Sequence, residues 1–362
     1  MDKDIFDGLF VLELANNHWG KLERGLKIID DYAEVVKKNN VKASVKLQFR
    51  DVDSFIHKDF RDLEGFRYIW KTQKTQMPWA SLKALVERVS EKGMLTMVTP
   101  FDEISVDKCV EFGVDIIKIA SSDIRDKTLL KKIGAAGKPV IASSGGSTSL
   151  DQLDYLVKFF KEKNLPFALN HCVSLYPSED KDLHLNQIDL LKKRYPDTVI
   201  GFSTHEYHDW DSSVKMAYAK GARTFERHVD IDYEGVPVSK YCSLPEQADI
   251  WFKAYHKAVE MCGPEESNEE KRQPPEKEVR YLDALVRGVY AKKDLPAGHK
   301  LTKEDIYLAI PLHKGQISGR EFEEGEVLTA SIEKDKAVNI EKLDASYSSN
   351  SDLVSLIKNR GL

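Results

Sequence analysis

Two stretches decide how this chain reads: Thr198-Val199-Ile200-Gly201-Phe202-Ser203-Thr204-His205 and Ala222-Arg223-Thr224-Phe225-Glu226-Arg227-His228. Each is a short apolar run that ends in polar residues and a histidine, and a helical stretch separates the two. Consecutive parallel strands joined by a helix put both histidines on one rim, the face on which parallel barrels carry their chemistry. Two neutral imidazoles facing one point suit a divalent transition metal. Judged singly, each histidine has a plainer alternative as a satisfied side chain with no ligand.

The same alternation extends outward from these segments. Strands are expected at Leu9 to Ala15, Ser44 to Phe49, Leu95 to Thr99, Ile116 to Ala120, Pro139 to Ser143, Phe167 to Cys172, Val199 to Ser203 and Arg223 to His228. Amphipathic stretches lie between them, at Glu23 to Lys38, Ala80 to Lys92, Leu150 to Lys163 and Leu185 to Lys193, and a helix from Pro245 to Met261 follows. Eight strand–helix units in a row predict an α/β fold of the TIM (β/α)8 barrel type over residues 1–263. The run GPEESNEEKRQPPEK that starts at Gly263 is poor in apolar residues and contains proline, so 264–282 reads as a linker. Short β runs and the turns at Pro296-Ala297-Gly298, Gly315 and Gly325 predict a small β-rich module over 283–343. Residues 344–362 are left as a tail, either disordered or a short docking helix built on Leu353-Val354-Ser355-Leu356-Ile357.

The bulk chemistry narrows the function. Lysine and arginine are scattered and the net charge is −5, so there is no footprint for nucleic acid. Met1-Asp2-Lys3-Asp4 lacks the apolar core of a signal peptide, and no run approaches membrane-spanning length. Cys109, Cys172, Cys242 and Cys262 are far apart, without zinc or disulfide spacing, which fits buried packing residues in a reducing cytoplasm.

Polar residues gather at one end of every expected strand. Glu13 and Asn17-His18 end the first, and Lys46 and Gln48 share one face of the second because side chains alternate. Lys118 with Ser121-Ser122 ends the fourth, Ser143-Ser144-Gly145-Gly146 the fifth, and His171-Cys172-Val173-Ser174-Leu175-Tyr176-Pro177 the sixth. Lys46 and Lys118 lie inside apolar runs, where a lysine is costly unless an anion meets it or its tip snorkels to the rim. With Ser121, Ser143 and Ser203 nearby and glycine backbone N–H groups beside them, they point to a phosphate or carboxylate ligand. For a lone serine, turn capping is the plainer role.

At these residues the chain resembles the sialic acid synthase family. The matching pieces are Glu13-Leu14-Ala15-Asn16-Asn17-His18-Trp19-Gly20, Val45-Lys46-Leu47-Gln48-Phe49, Thr99-Pro100-Phe101-Asp102-Glu103, Lys118-Ile119-Ala120-Ser121, Lys138-Pro139-Val140-Ile141-Ala142-Ser143, the His171 to Pro177 segment, Gly201-Phe202-Ser203-Thr204-His205 and Glu226-Arg227-His228. The C-terminal module is similar to the family's antifreeze-like (SAF) domain in Arg287-Gly288-Val289-Tyr290-Ala291-Lys292-Lys293-Asp294-Leu295 and Pro296-Ala297-Gly298. The resemblance implies condensation of phosphoenolpyruvate (PEP) with an aldose such as N-acetylmannosamine, giving a 3-deoxy-2-keto sugar acid and phosphate. It implies that His205 and His228 hold a divalent metal, manganese (Mn2+) in the first place and magnesium or cobalt otherwise. Lys46, Lys118, Ser121, Ser143 and Ser203 would grip PEP, with Ser174 at a substrate position and Tyr176 facing the sugar. Glu13 would transfer a proton or orient the sugar or water. A homodimer that exchanges its small domains is implied as well. His205 with His208, or His18 in place of one ligand, are alternative metal pairs, and His171 reads as structural.

Departures from the family pattern fall on the sugar side. The usual Ser-Asp-His is Ser203-Thr204-His205, so a supporting carboxylate is missing, and Glu206 is the candidate to replace it. Ser174 stands where several members have asparagine. Ser239 or Lys240 stands in the loop that normally holds a sugar-contacting aspartate, and Ile310-Pro311 replaces an arginine–proline pair, with Arg287 or Arg320 as substitutes. The expectation is retained condensation with an altered acceptor. Beside it stand a synthase for a shorter or phosphorylated aldose, with Lys240 and Arg50 as a second anion site, and a non-catalytic sugar- or phosphate-binding relative.

Overall fold

Every residue of β1 (Leu9–Ala15) is buried, as a strand covered on both faces must be. Its side chains alternate between two environments. Phe10, Leu12 and Leu14 join the large apolar cluster beneath the helices, whereas Leu9 and Val11 join Met97, Ile116, Ile141 and Ala168 in a separate one. The second cluster is the filling of a barrel. In the computed structural model, which describes residues 5–61, 65–147, 149–264 and 271–362, the chain divides into two units, 1–264 and 265–362.

In the larger unit β1 is followed by β2 (Lys42–Phe49), β3 (Leu95–Pro100), β4 (Ile116–Ile119), β5 (Val140–Ser143), β6 (Phe167–Cys172), β7 (Val199–Thr204) and β8 (Thr224–Val229). Each pairs with the next in parallel, and β8 returns to pair with β1, closing a TIM barrel as expected. A short β9 (Cys242–Ser243) adds against β8. The crossovers are α1 (Leu22–Asn39), α2 (Val52–Phe55), α3 (Arg67–Lys74), α4 (Trp79–Glu91), α5 (Glu103–Glu111), α6 (Lys127–Ala135), α7 (Leu150–Glu162), α8 (Asn186–Arg194), α9 (Ser212–Ala219) and α10 (Pro245–Cys262). Helices α2 and α3 are additions to the connection between β2 and α4.

Local chemistry explains several boundaries. Asp102 caps α5 by accepting from the Ser105 N–H at 2.7 Å, and Asp126 caps α6 by accepting from Thr128 and Leu129 N–H, both at 3.0 Å. Pro245 opens α10 at a position whose N–H would be unpaired in any case. Gly25 in α1 lets α4 approach, because a Cβ there would lie 2.8 Å from the Leu85 side chain.

The smaller unit has its own core, including Val289, Leu301, Ile317 and Leu328. Its strands β10 (Gly288–Ala291) and β11 (Ile306–Ala309) pair antiparallel, as do β12 (Val327–Leu328) and β13 (Leu343–Asp344). Two expected boundaries change. Helix α11 (Glu276–Asp283) occupies the end of the expected linker 264–282, of which 265–270 lie outside the described residues. The expected tail 344–362 contains α12 (Ser351–Asn359), whose Ile357 is fully buried in this core, and Arg360 forms a buried ion pair with Glu321. Apolar spacing at Leu353, Val354 and Ile357 drives that helix inward, so the segment packs with the module before it. No described helix is long and apolar enough to cross a membrane.

Candidate active site

Inward-facing rows of the barrel change character along the strands. Three begin apolar and end polar, Leu9-Val11-Glu13 in β1, Ile116 to Lys118 in β4 and Ile141 to Ser143 in β5, and the row Thr224-Glu226-His228 in β8 is polar throughout. Parallel register then sets these ends side by side. Glu13 is level with Lys46 on one neighbour and with His228 on the other, and Ser203 is level with Glu226.

The result is a buried chain of charges. Lys46 Nζ donates to Glu226 Oε1 at 2.8 Å and forms an ion pair with Glu13. Lys118 Nζ donates to Glu226 Oε2 at 3.0 Å and to Ser143 Oγ at 2.7 Å, while Ser203 Oγ donates to Glu226 Oε1 at 3.2 Å. Gln48 Nε2 donates to the other side of Glu13 at 3.3 Å. Burial pulls the Lys46 ammonium down to about 7, against the attraction of Glu226 and with help from the charge of Lys118. Burial alone would raise Glu226, but the two lysines outweigh it and hold its carboxyl well below the usual carboxylate range. The lysines expected to meet a ligand anion therefore already meet a protein anion. Sequence reasoning quoted Glu226 without assigning it, although its period-2 spacing from His228 put both on the inward face.

The histidine rings lie beside this chain, their centroids 5.3 Å apart. His205 donates from Nδ1 to the Val173 carbonyl at 2.7 Å, which leaves Nε2 with its lone pair. Burial lowers His205 to about 4, and burial followed by the neighbouring His205 lowers His228 as well. Both are neutral imidazoles and fit a divalent metal by donor chemistry. Among the described residues no cluster of three or more His, Cys, Asp or Glu is arranged to hold a metal, so a metal here would take its other ligands from water or substrate. Tyr176 packs on His205 at 4.0 Å between centroids, and Tyr241 on His228 at 5.1 Å.

The alternative pairings separate in space. His208 pairs with Asp180 at 3.0 Å, and His18 accepts from the Gly20 N–H at 3.0 Å beside a different small cavity. His171 donates to the Leu183 carbonyl at 2.6 Å, a structural role. Glu206, the candidate to replace the missing carboxylate, turns away. It is buried against Arg227, which donates to Glu206 Oε1 at 2.6 Å, and it also accepts from Ser213. A backbone carbonyl, that of Val173, orients His205 instead.

All ten residues expected at the site line one cavity of about 820 Å³ at the barrel mouth. Ser121 and Ser174 flank Gly145, where a Cβ would collide with both hydroxyls, so only glycine leaves them this close. Glu226, Arg50, Arg67, Lys71, Arg125 and Tyr241 line the cavity too and were not expected together. Lys240 and Ser239 are not among its lining residues, which removes Lys240 as a partner for Arg50 there. Arg67 and Lys71 escaped notice because they sit on α3, whose sequence reads as an ordinary solvated helix.

Known proteins share this arrangement of chain. A model of the NeuB family matches residues 34–263. Spore coat polysaccharide biosynthesis protein SpsE of Bacillus subtilis is 30% identical over 230 residues, a match spanning 61% of this chain and 59% of that protein. Pseudaminic acid synthase of Campylobacter jejuni is 28% identical over 313 residues, covering 84% of this chain and 87% of the relative. Mouse N-acetylneuraminate-9-phosphate synthase is 24% identical over 340 residues, covering 92% of each. A crystal structure assigned to spore coat polysaccharide biosynthesis protein E of Chromobacterium violaceum superposes with a TM-score of 0.86 at 33% identity, over 93% of this chain and 99% of that one. With the match running from α1 to the end of α10, through every strand from β2 to β8, this chain belongs to the NeuB family.

Proposed function

We propose that the protein condenses PEP with the open-chain form of an aldose, forming a 3-deoxy-2-keto sugar acid and releasing phosphate. The observation that carries this reading is the buried Glu13–Lys46–Glu226–Lys118–Ser143 chain lying against two neutral imidazoles in one cavity. Relatives named as pseudaminic and N,N'-diacetyllegionaminic acid synthases support the product class.

His205 and His228 would hold a divalent metal, manganese first, which when bound supplies a Lewis acid for the aldehyde oxygen. In the reaction C3 of PEP forms a bond to the aldehyde carbon, and the electron pair of the carbonyl becomes an alkoxide that takes a proton. The cation left at C2 adds water, and the resulting tetrahedral carbon expels phosphate. Lys118 with Ser143, Ser121 with the Gly145-Gly146 backbone, and Ser203 are placed to grip an anion. Ser174 and Tyr176 stand on the acceptor's side. A Lys46 ammonium near neutrality beside Glu13 suits proton transfer, because a group titrating close to the working pH can both give and take. Glu13 would remove the proton from the attacking water and Lys46 would protonate the alkoxide. The same reading makes the smaller unit a SAF domain and the assembly a domain-exchanged homodimer, which sedimentation at micromolar concentration checks.

The test is phosphate release from PEP with manganese across N-acetylmannosamine, its 6-phosphate, a diacetamido-trideoxyhexose, mannose and arabinose 5-phosphate, with His228→Ala as control. Turnover with at least one sugar, abolished in the control, is expected. Metal and PEP binding without release for any sugar would overturn the catalytic reading.

A further inference from the structure

The two imidazoles of the site are held by different means. His205 is turned by its hydrogen bond to the Val173 carbonyl, whereas among the described residues no hydrogen bond holds the His228 ring. Rings enclose His228 instead: Tyr241 at 5.1 Å with its plane at 80°, His205 at 5.3 Å and Tyr176 at 5.9 Å between centroids. Aromatic rings favour such edge-to-face contacts. A contact of this kind orients its partner only if it is itself held in place, so the seating of Tyr241 bears on the direction of the His228 ring.

Tyr241 ends the loop that follows β8. That loop leaves at Asp230, runs over residues 230–241 and returns as β9, with Cys242 level with His228. Helix α1 ties it down from behind. Arg24, fully buried, donates from Nε to the Asn17 carbonyl at 2.7 Å and from Nη1 to the Tyr233 carbonyl at 2.7 Å. Its Nη2 donates to Asp230 Oδ1 at 2.6 Å and to the Ile231 carbonyl at 3.0 Å. Asn17 Nδ2 donates to the Val229 carbonyl at 2.8 Å, and the Tyr32 hydroxyl of the same helix reaches the Asp230 and Ser243 carbonyls. One guanidinium thus joins Asn17, just past β1, to the start of the loop after β8, across the seam where the barrel closes.

Stability is a weak reason for this arrangement, because a buried ion pair returns little over apolar packing of the same volume. What a guanidinium supplies is a planar fork of donors that fixes several acceptors at once. Three of the acceptors of Arg24 are backbone carbonyls, and two of those, Ile231 and Tyr233, belong to the loop. Arg24 therefore sets the path of the chain between His228 and Tyr241.

We propose that Arg24, paired with Asp230, is a positioning residue for the two-histidine site: it fixes the loop that seats Tyr241 on His228 and so holds the His228 ring in register with His205. The inference rests on the proposed metal site and goes beyond it, to a residue that is not among those lining the cavity.

The experiment titrates manganese calorimetrically into the wild-type protein, Arg24→Lys, Tyr241→Ala and the double variant, each checked for fold by circular dichroism. Lysine keeps a charge opposite Asp230 but is a point donor that cannot serve all four acceptors. Arg24→Lys is expected to weaken manganese binding about tenfold, the lower end of what losing a supporting partner costs a metal site. PEP affinity of the metal-free protein should stay as in wild type, which a general loss of structure would not allow. Because Arg24 acts through Tyr241, the double variant should lose no more than Tyr241→Ala alone. Hydrogen exchange over residues 229–243 of the metal-free protein should quicken in Arg24→Lys, a readout that needs no metal. Wild-type manganese affinity in folded Arg24→Lys would overturn the proposal. So would losses that add in the double variant, or weaker binding with exchange unchanged over that segment. If Arg24→Lys does not fold, Tyr241→Ala decides, since unchanged manganese affinity there removes the link through which Arg24 acts. A wild-type protein that binds no manganese brings down the metal site itself, so the two failures are told apart.

Discussion

Replacing Glu226 by glutamine keeps the side chain's shape and removes the charge that Lys46 and Lys118 share. Glu226 is 5% exposed and accepts from Lys46 at 2.8 Å, Lys118 at 3.0 Å and Ser203 at 3.2 Å. Breaking a buried ion pair by removing one partner destabilises by about 3–5 kcal/mol, because the other charge stays buried. Glutamine retains one acceptor oxygen, which places Glu226→Gln near the lower end, about 3 kcal/mol. For a unit of this size that corresponds to roughly 6–12 °C in melting temperature. The pH dependence has a definite sign. Glu226 is held below its ordinary value of 4.5, so its contribution is present above that value and is lost as pH falls through the folded value. Scanning calorimetry should therefore find the difference between wild type and E226Q full at about pH 7 and smaller in acid. Adding Lys46→Met to E226Q should recover part of the loss, since one uncompensated charge is gone. The reasoning is refuted if E226Q melts with wild type at neutral pH, or if its loss is the same with Met at position 46.

Other perturbations test separate parts of the structure. Lys46 drops from 10.5 to about 7 on folding, so between those values the unfolded chain holds a proton that the folded chain lacks, and stability rises with pH. Lys46→Met should flatten that rise in denaturant midpoints measured across the window; parallel profiles would contradict the burial argument. His228→Ala should lower manganese affinity by more than the roughly 10–100-fold typical of losing a supporting partner, as read by calorimetric titration or metal content after dialysis. Gly145→Ala, at a backbone conformation open to alanine, should raise the KM for PEP through overpacking worth about 1–3 kcal/mol, with the fold intact by circular dichroism. Ile357→Ala should cost the smaller unit about 2–5 kcal/mol and speed proteolysis there; unchanged protection would mean that α12 is dispensable.

Most of the barrel was legible from local pattern. Val- and Ile-rich runs bounded by polar ends located β1 and β6 to the residue and the other barrel strands to within two. They are buried on both faces, so their apolar character is continuous and hard to mistake. The histidines were legible for a related reason, since a polar side chain just past such a run can only stand at its end. Glu206 was misjudged because adjacency in sequence says nothing about direction. His205 faces inward, and the next side chain faces outward, where Arg227 waits on the neighbouring strand. The tail was undecided because α12 is a short helix whose order comes from Ile357 entering a core built by distant residues.

The sequence by itself determined which elements exist, which face of each strand is polar, and that two histidines end neighbouring strands. These follow from periodicity, which acts over a few residues. Tertiary structure alone decided which polar ends meet. Glu13, Lys46, Lys118 and Glu226 come from four strands, and only closure of β8 onto β1 sets Glu226 between two lysines instead of leaving them for a ligand. Tertiary structure alone also placed Arg67 and Lys71 of α3, an addition outside the strand–helix repeat, in the lining of the cavity. Charge compensation at a site is a property of that assembled geometry, because electrostatic partners are chosen by distance in space.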